Sequence, residues 1–157
     1  MRNFFFSLVC LVTFGFTAQA QVDAAQRDSI LQPIRTMFAG MLQADTTLFS
    51  SCFAPGARLE TAGGVSPKQP VKAELLTDFV RTIASLKPGM ADERIEIGAV
   101  QSDGRIAHVW TRYEFWLNNK FSHCGTNAFT LVNTSTGWKI QYVLDTRYRE
   151  GCKSTQP

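Results

Sequence analysis

The sequence is short of what the common enzyme classes require. It has no Gly-x-Ser-x-Gly elbow, no glycine-rich phosphate loop and no His-Glu-x-x-His, so the motifs of serine hydrolases, phosphate-loop nucleotidases and zinc peptidases are missing. Only two histidines occur, His108 and His123, and none of the four cysteines forms a Cys-x-x-Cys pair. Neither a redox motif nor a structural zinc set can be built from them, and no cofactor is expected. The basic residues are scattered, with only Arg147 and Arg149 close together. A nucleic-acid surface needs a clustered basic patch with interleaved aromatics, so no nucleic-acid partner is expected. Past the first twenty residues nothing approaches the roughly eighteen uninterrupted apolar residues of a membrane span.

Those first twenty residues read differently from the rest. Arg2 gives a short positive start, Phe4 to Phe16 an apolar run, and Ala18-Gln19-Ala20 a small-x-small exit. This is the pattern of a secretory signal peptide, with cleavage expected after Ala20 and a periplasmic or secreted chain over residues 21–157. Losing Arg2 takes the formal charge from +3 to +2. The remaining length suits a single domain that can bury a core. Three cysteines stay in the mature chain, Cys52, Cys124 and Cys152. An oxidising compartment favours a disulfide, and an odd count leaves one thiol over.

Along the mature chain the hydrophobic period changes once. Asp23 to Ala44 carries Ile30, Ile34, Phe38 and Met41 on one face of an expected helix, with Pro33 inside it. Asp45 is placed to cap a short helix over Thr46 to Cys52, and Ala57 to Ala62 reads as a short strand. Lys72 to Lys87 is the most regular amphipathic stretch and reads as one helix. From Arg94 the period becomes two, giving strands over 94–100, 105–117, 121–132 and 138–148 separated by turns. Helices followed by an antiparallel meander specify an α+β architecture.

Strand parity then assigns faces. Ala107, Val109, Thr111, Tyr113, Phe115 and Leu117 form the smoother apolar face, expected under the helices. Trp110, Arg112 and Trp116 fall on the opposite face. His108 and His123 separate to opposite faces, which removes a metal site. On the last two strands, matching apolar faces pairs Leu131 with Trp138, Phe129 with Ile140, Asn127 with Tyr142 and His123 with Thr146. It also sets Cys124 opposite Asp145 on the outer face.

The stretches Phe38-Ala-Gly-Met41, Phe53-Ala-Pro-Gly-Ala-Arg-Leu59, Val109-Trp-Thr-Arg-Tyr-Glu-Phe115, Phe121-Ser-His-Cys-Gly125, Gly137-Trp-Lys-Ile140 and Asp145-Thr-Arg147 with Cys152 behind resemble the NTF2-like superfamily. This is the cystatin-like cone shared with ketosteroid isomerases and SnoaL-type cyclases, and the chain is most similar to exported bacterial members described as NTF2-like or "putative lumazine-binding". The resemblance covers about Arg27 to Cys152. It implies N-terminal helices packed on a curved, mainly antiparallel sheet whose concave side can hold a ligand. Where isomerase relatives place an aspartate base in the cone, no Asp falls on the faces read as inward. A Cys124–Cys152 disulfide is expected, because Cys152 can fold back toward Cys124, whereas His123 and Cys124 point to opposite faces and cannot activate one another.

The expected function is binding of a small, largely apolar molecule by a cone lined with Phe38, Met41, Phe79, Tyr113, Phe115, His123, Asn127, Phe129 and Tyr142, without catalysis. A second reading is an isomerase, cyclase or dehydratase, with His123 as general base and Tyr113 or Tyr142 polarising a carbonyl. The plainer and favoured reading of His123 is that it completes the core through a hydrogen bond to a neighbouring strand, because no carboxylate is placed to orient its ring. A third reading is an interaction module whose cone is filled by its own side chains. Trp110, Arg112 and Trp116 form an outward stripe expected to serve as a homodimer surface, since two tryptophans on a sheet face are costly to leave wet.

Overall fold

The structure is a computed structural model that describes residues 22–64, 66 and 68–152; the expected leader lies outside them. Helix α1 spans Ala24–Gln43, and its N-terminus is capped by the Asp23 carboxylate, which accepts from the Gln26 N–H at 2.7 Å. Ile30, Leu31, Ile34, Met37 and Met41 form its buried face. Pro33 is accommodated inside the helix on that face. The short helix α2 (Thr46–Ser50) repeats the capping device, with Asp45 accepting from Leu48 N–H at 2.8 Å. Gly40 permits the close approach of α2, because a Cβ there would lie 2.6 Å from the Phe49 nitrogen. That approach buries Phe49 against Phe53 and Phe79.

Six strands follow or flank a third helix: β1 (Phe53–Thr61), β2 (Lys72–Glu74), α3 (Leu76–Ala84), β3 (Ala91–Ser102), β4 (Ile106–Leu117), β5 (Lys120–Thr134) and β6 (Gly137–Asp145). They form one sheet in the order β2-β1-β6-β5-β4-β3, in which β1 and β6 run parallel and every other pair is antiparallel. This is the expected α+β cone, with helices against one face of a mixed, mainly antiparallel sheet. The residues expected as the start of a single helix from Lys72 differ. Lys72–Glu74 instead pair with Thr61, Glu60 and Leu59 as an edge strand. Backbone pairing with the open edge of β1 outweighs helix propensity there, and the helix begins at Leu76.

On β4 the inward face is Ala107, Val109, Thr111, Tyr113 and Phe115, as parity indicates. Two irregularities change parity elsewhere. In β5 an extra residue, Ser122, sits between the pairs Phe115–His123 and Trp116–Phe121. It turns Phe121 outward beside Trp116, with ring centroids 5.8 Å apart. In β6 an extra residue, Gln141, sits between the pairs Leu131–Ile140 and Thr130–Tyr142. The hairpin is also tighter than expected, since Thr134 pairs with Gly137 across a two-residue turn. The expected pairs across this hairpin are therefore corrected: Asn133 faces Trp138, Leu131 faces Ile140, Phe129 faces Val143 and Asn127 faces Asp145. A bulge shifts every later side chain to the other face of the sheet.

Candidate functional site

The concave side of the sheet and the helices enclose a cavity of about 190 Å³. Its apolar wall comes from Met37, Phe38 and Met41 of α1, Phe49 of α2, Phe79 and Ile83 of α3, and Phe115, Phe129 and Val143 of the sheet. Phe38 meets Phe129 edge-on at 6.2 Å, and Phe79 stacks on Phe49 at 5.4 Å. Of the residues expected in the cone, Phe38, Met41, Phe79, Phe115, His123, Asn127 and Phe129 line this space.

Tyr142 and Tyr113 are placed differently. The Gln141 bulge carries Tyr142 to the outer face, where its hydroxyl donates to Glu60 Oε2 at 2.6 Å beside the Arg58 guanidinium. Val143 and Asp145 take the inward positions instead. Tyr113 is buried beneath the cavity, and its hydroxyl donates to the Thr146 carbonyl at 2.8 Å. Its single proton is thereby committed, so neither tyrosine is positioned to polarise a carbonyl in the cone. Gly125 makes this contact possible: a Cβ there would fall 1.8 Å from the Thr146 oxygen.

A polar group gathers on one side of the cavity. Register sets Glu93, Phe115 and His123 in one row across β3, β4 and β5, with Asn127 facing Asp145 across β5 and β6. Asn127 Nδ2 donates to Glu93 Oε1 at 2.9 Å and to Thr111 Oγ1 at 3.3 Å. Asp145 Oδ2 accepts from Arg147 Nε at 2.8 Å. Its other oxygen, Oδ1, is buried and accepts no hydrogen bond, although Tyr113 lies close enough for the carboxylate to help push the phenol up after burial. Glu74 and Arg147 complete this side.

Electrostatics follow from crowding carboxylates in a confined space. Burial is the main cause that pushes Glu93 from 4.5 to about 7; the nearby Asp145 adds to it, while Asn127 and Arg147 oppose it. Glu93 is surrounded by protein but keeps part of its surface open to the cavity, so water in the cavity moderates that shift and a dry occupant enforces it. Glu74 is also pushed up, first by burial, although it sits exposed at the rim. His123 is pushed below 6.5, first by burial and then by Arg147, against the pull of Asp145. It is therefore a neutral imidazole at pH 7. Its Nδ1 lies 3.1 Å from Ser122 Oγ, and Nε2 has no hydrogen-bond partner among the described residues.

Glu93, Asp145 and Arg147 were not among the residues expected in the cone. Glu93 was legible, since alternation through Ala91, Glu93 and Ile95 puts it on the apolar face once the strand is begun at Ala91 rather than Arg94. Asp145 was not, because nothing in the sequence marks the extra residue at Gln141. Among the described residues no three His, Cys, Asp or Glu side chains converge to hold a metal.

Elsewhere, Cys124 and Cys152 form a disulfide with Cα atoms 5.9 Å apart. It ties the chain beyond β6 to β5, where Cys124 and Tyr148 also exchange backbone hydrogen bonds at 2.9 and 2.8 Å. Cys52 is free and buried, and burial pushes its thiol up. On the outer face Trp110 and Arg112 are exposed, whereas Trp116 is half-covered by Arg94, whose guanidinium lies 4.6 Å from the ring centre. No helix among the described residues is long and apolar enough to cross a membrane.

The fold is shared with several solved proteins. An NTF2-like protein of unknown function from Methylobacillus flagellatus superposes with a TM-score of 0.63 at 17% identity, covering 83% of this chain and 98% of that one. One from Shewanella baltica gives 0.62 at 14% identity, over 83% and 100%. A ketosteroid isomerase-like protein from Erwinia carotovora atroseptica gives 0.57 at 15%, over 80% and 98%. At such identities the likeness is one of fold. No curated protein matches the chain. The profile of the family described as "Putative lumazine-binding" matches residues 25–142, and on that match the chain belongs to this family.

Proposed function

We propose that the protein holds a small, largely apolar molecule in its cone and acts by binding it rather than transforming it. The observation that carries this reading is the cavity itself, walled by Met37, Phe38, Phe79, Phe115 and Phe129, with Glu93, Asn127 and His123 gathered on one side of it. An apolar space with a few convergent polar groups is what a small-molecule site needs. The family description points the same way, toward a bound small molecule. Native mass spectrometry of gently purified protein, compared with the denatured sample, tests the reading. A non-covalent mass that disappears on denaturation, and is lost in Phe38→Trp where the added ring occupies the space, is the expected result. Bare protein that also takes up no apolar probe would overturn it.

A second reading rests on a different observation: Glu93, pushed to about 7, and neutral His123 both face the cavity. Groups that titrate near working pH suit general acid–base chemistry. In that case Glu93→Gln or His123→Ala abolishes a turnover while leaving ligand affinity nearly intact; in the binding reading those changes move affinity alone.

The same proposal places the protein outside the cytoplasm, which the Cys124–Cys152 disulfide supports, and has the chain cleaved after Ala20. It also pairs two copies through the outer sheet face around Trp110, Arg112 and Trp116, supported by the exposure of Trp110. A mature mass beginning at Met1, or a monomer unchanged in sedimentation by Trp110→Lys, would remove these two elements respectively.

A further inference from the structure

Charge within the cone is distributed unlike charge on the protein as a whole. The chain is net positive, at +3, yet the polar side of the cavity brings together Glu93, Asp145 and, at the rim, Glu74, against the single guanidinium of Arg147. Glu60 also reaches the lining but is already engaged by Arg58 and Tyr142. Arg147 uses its Nε on Asp145 Oδ2, which leaves Asp145 Oδ1 without a donor and Glu93 with only the Asn127 amide. Two carboxylates facing one confined space repel each other, and a positive charge placed between them relieves that repulsion. The α1 and α3 walls contribute no charge, only Met37, Phe38, Met41, Phe79, Thr82 and Ile83. The cavity is therefore an apolar chamber ending in a carboxylate pair.

Resting on the binding reading above, we infer that the cone selects a cation: a molecule with an apolar, ring-sized body and a protonated amine or amidine, its charged end placed against the Glu93 carboxylate on the acidic side of the cavity next to Asp145. The ammonium supplies donors and a counter-charge to Glu93, and the Asp145 charge adds to the attraction. An alcohol of the same shape supplies only a donor, and a carboxylate repels both groups. Occupancy by the cation releases the proton that Glu93 carries near neutrality, so affinity rises between pH 6 and pH 8. The other charged or titratable groups facing this space are Glu60 and Glu74 from β1 and β2, His123 from β5, Asp145 at the end of β6 and Arg147 just beyond it, with Tyr113 of β4 buried beneath them. His123 is already neutral through most of that range. Its residual protonation at the lower end acts in the same direction, and Glu93→Gln separates the two.

The test uses the mature protein and three probes of one shape: 3-phenylpropylamine, 3-phenylpropanol and 3-phenylpropionate. Titration calorimetry at pH 8 is expected to rank the amine first, at least about tenfold tighter than the alcohol, with the carboxylate weakest; tenfold corresponds to about 1.4 kcal/mol. In Asp145→Asn and Glu93→Gln the amine's advantage falls to threefold or less, and in Glu93→Gln its rise with pH flattens. An alcohol that binds as tightly as the amine, or a carboxylate that binds best, overturns the cation assignment while leaving the cone a binding site. No binding by any of the three, together with bare protein in native mass spectrometry, removes the binding reading and this inference with it. Amine binding that survives unchanged in both variants places the amine elsewhere and also overturns it.

Discussion

The two sides of the cone are built on opposite principles. On the helix side, Phe49, Phe53 and Phe79 interlock, Ile30 and Ile34 are fully buried, and the N-termini of α1 and α2 are capped by Asp23 and Asp45. On the β3–β6 side, carboxylates crowd together, one of their oxygens lacks a donor, and Glu93 is held close to neutrality. The first side lowers the free energy of the fold, while the second raises it. A region that costs stability persists where it does something else, and in a cavity that something is contact with an occupant. The disulfide belongs with the strained side, since it anchors the segment that follows Arg147.

Four substitutions or conditions separate the two sides, and the largest effect falls on the packed one. Phe49→Ala is expected to cost about 3–5 kcal/mol in urea unfolding, because it empties the junction of α2, α3 and β1. A cost under about 1 kcal/mol would mean the helices contribute little to the core. Removing the disulfide, whose cysteines are separated by 28 positions in sequence, is expected to cost about 2–4 kcal/mol. It should also loosen the Asp145–Arg147 pair, visible as faster amide exchange at Arg147; unchanged exchange there would detach the disulfide from the site.

Glu93 gives a pH signature with a definite sign. Its folded value is raised from 4.5 to about 7, so between those values the folded state holds a proton that the unfolded chain has lost. Stability from this group is therefore fully present below pH 4.5 and falls as pH rises to 7, by about 1–3 kcal/mol after allowance for water in the cavity. Glu93→Gln should remove that decline, and the difference between wild type and variant is the measurement; a difference flat with pH would place Glu93 in ordinary solvent. The smallest effect is on His123. Its imidazole should titrate below 6.5 by NMR, shifting back toward 6.5 in Arg147→Gln, since Arg147 is the second cause of its lowering; a value above 6.5 would contradict that lowering.

The packed side was legible in the sequence because its residues repeat at helical or strand spacing. Phe38, Met41, Phe79, Phe115, Asn127 and Phe129 reach the cavity from regular elements. The polar side was partly hidden. A single extra residue at Gln141 exchanges Tyr142 and Leu144 for Val143 and Asp145 on the inner face, and no residue type signals a bulge of that kind. Glu93 was hidden only by where the strand was begun. Lys72–Glu74 misled because their strand pairing is a tertiary event, set by the free edge of β1 rather than by their own propensity.

The most direct test of the central claim is to measure unfolding free energy and 3-phenylpropylamine affinity side by side in Asp145→Asn. Removing the charge relieves repulsion from Glu93 but weakens the pair with Arg147, so stability should change by no more than about 1 kcal/mol, while affinity falls at least about tenfold. A variant that loses more stability than that yet binds the amine as before would show that Asp145 serves the fold and not a ligand.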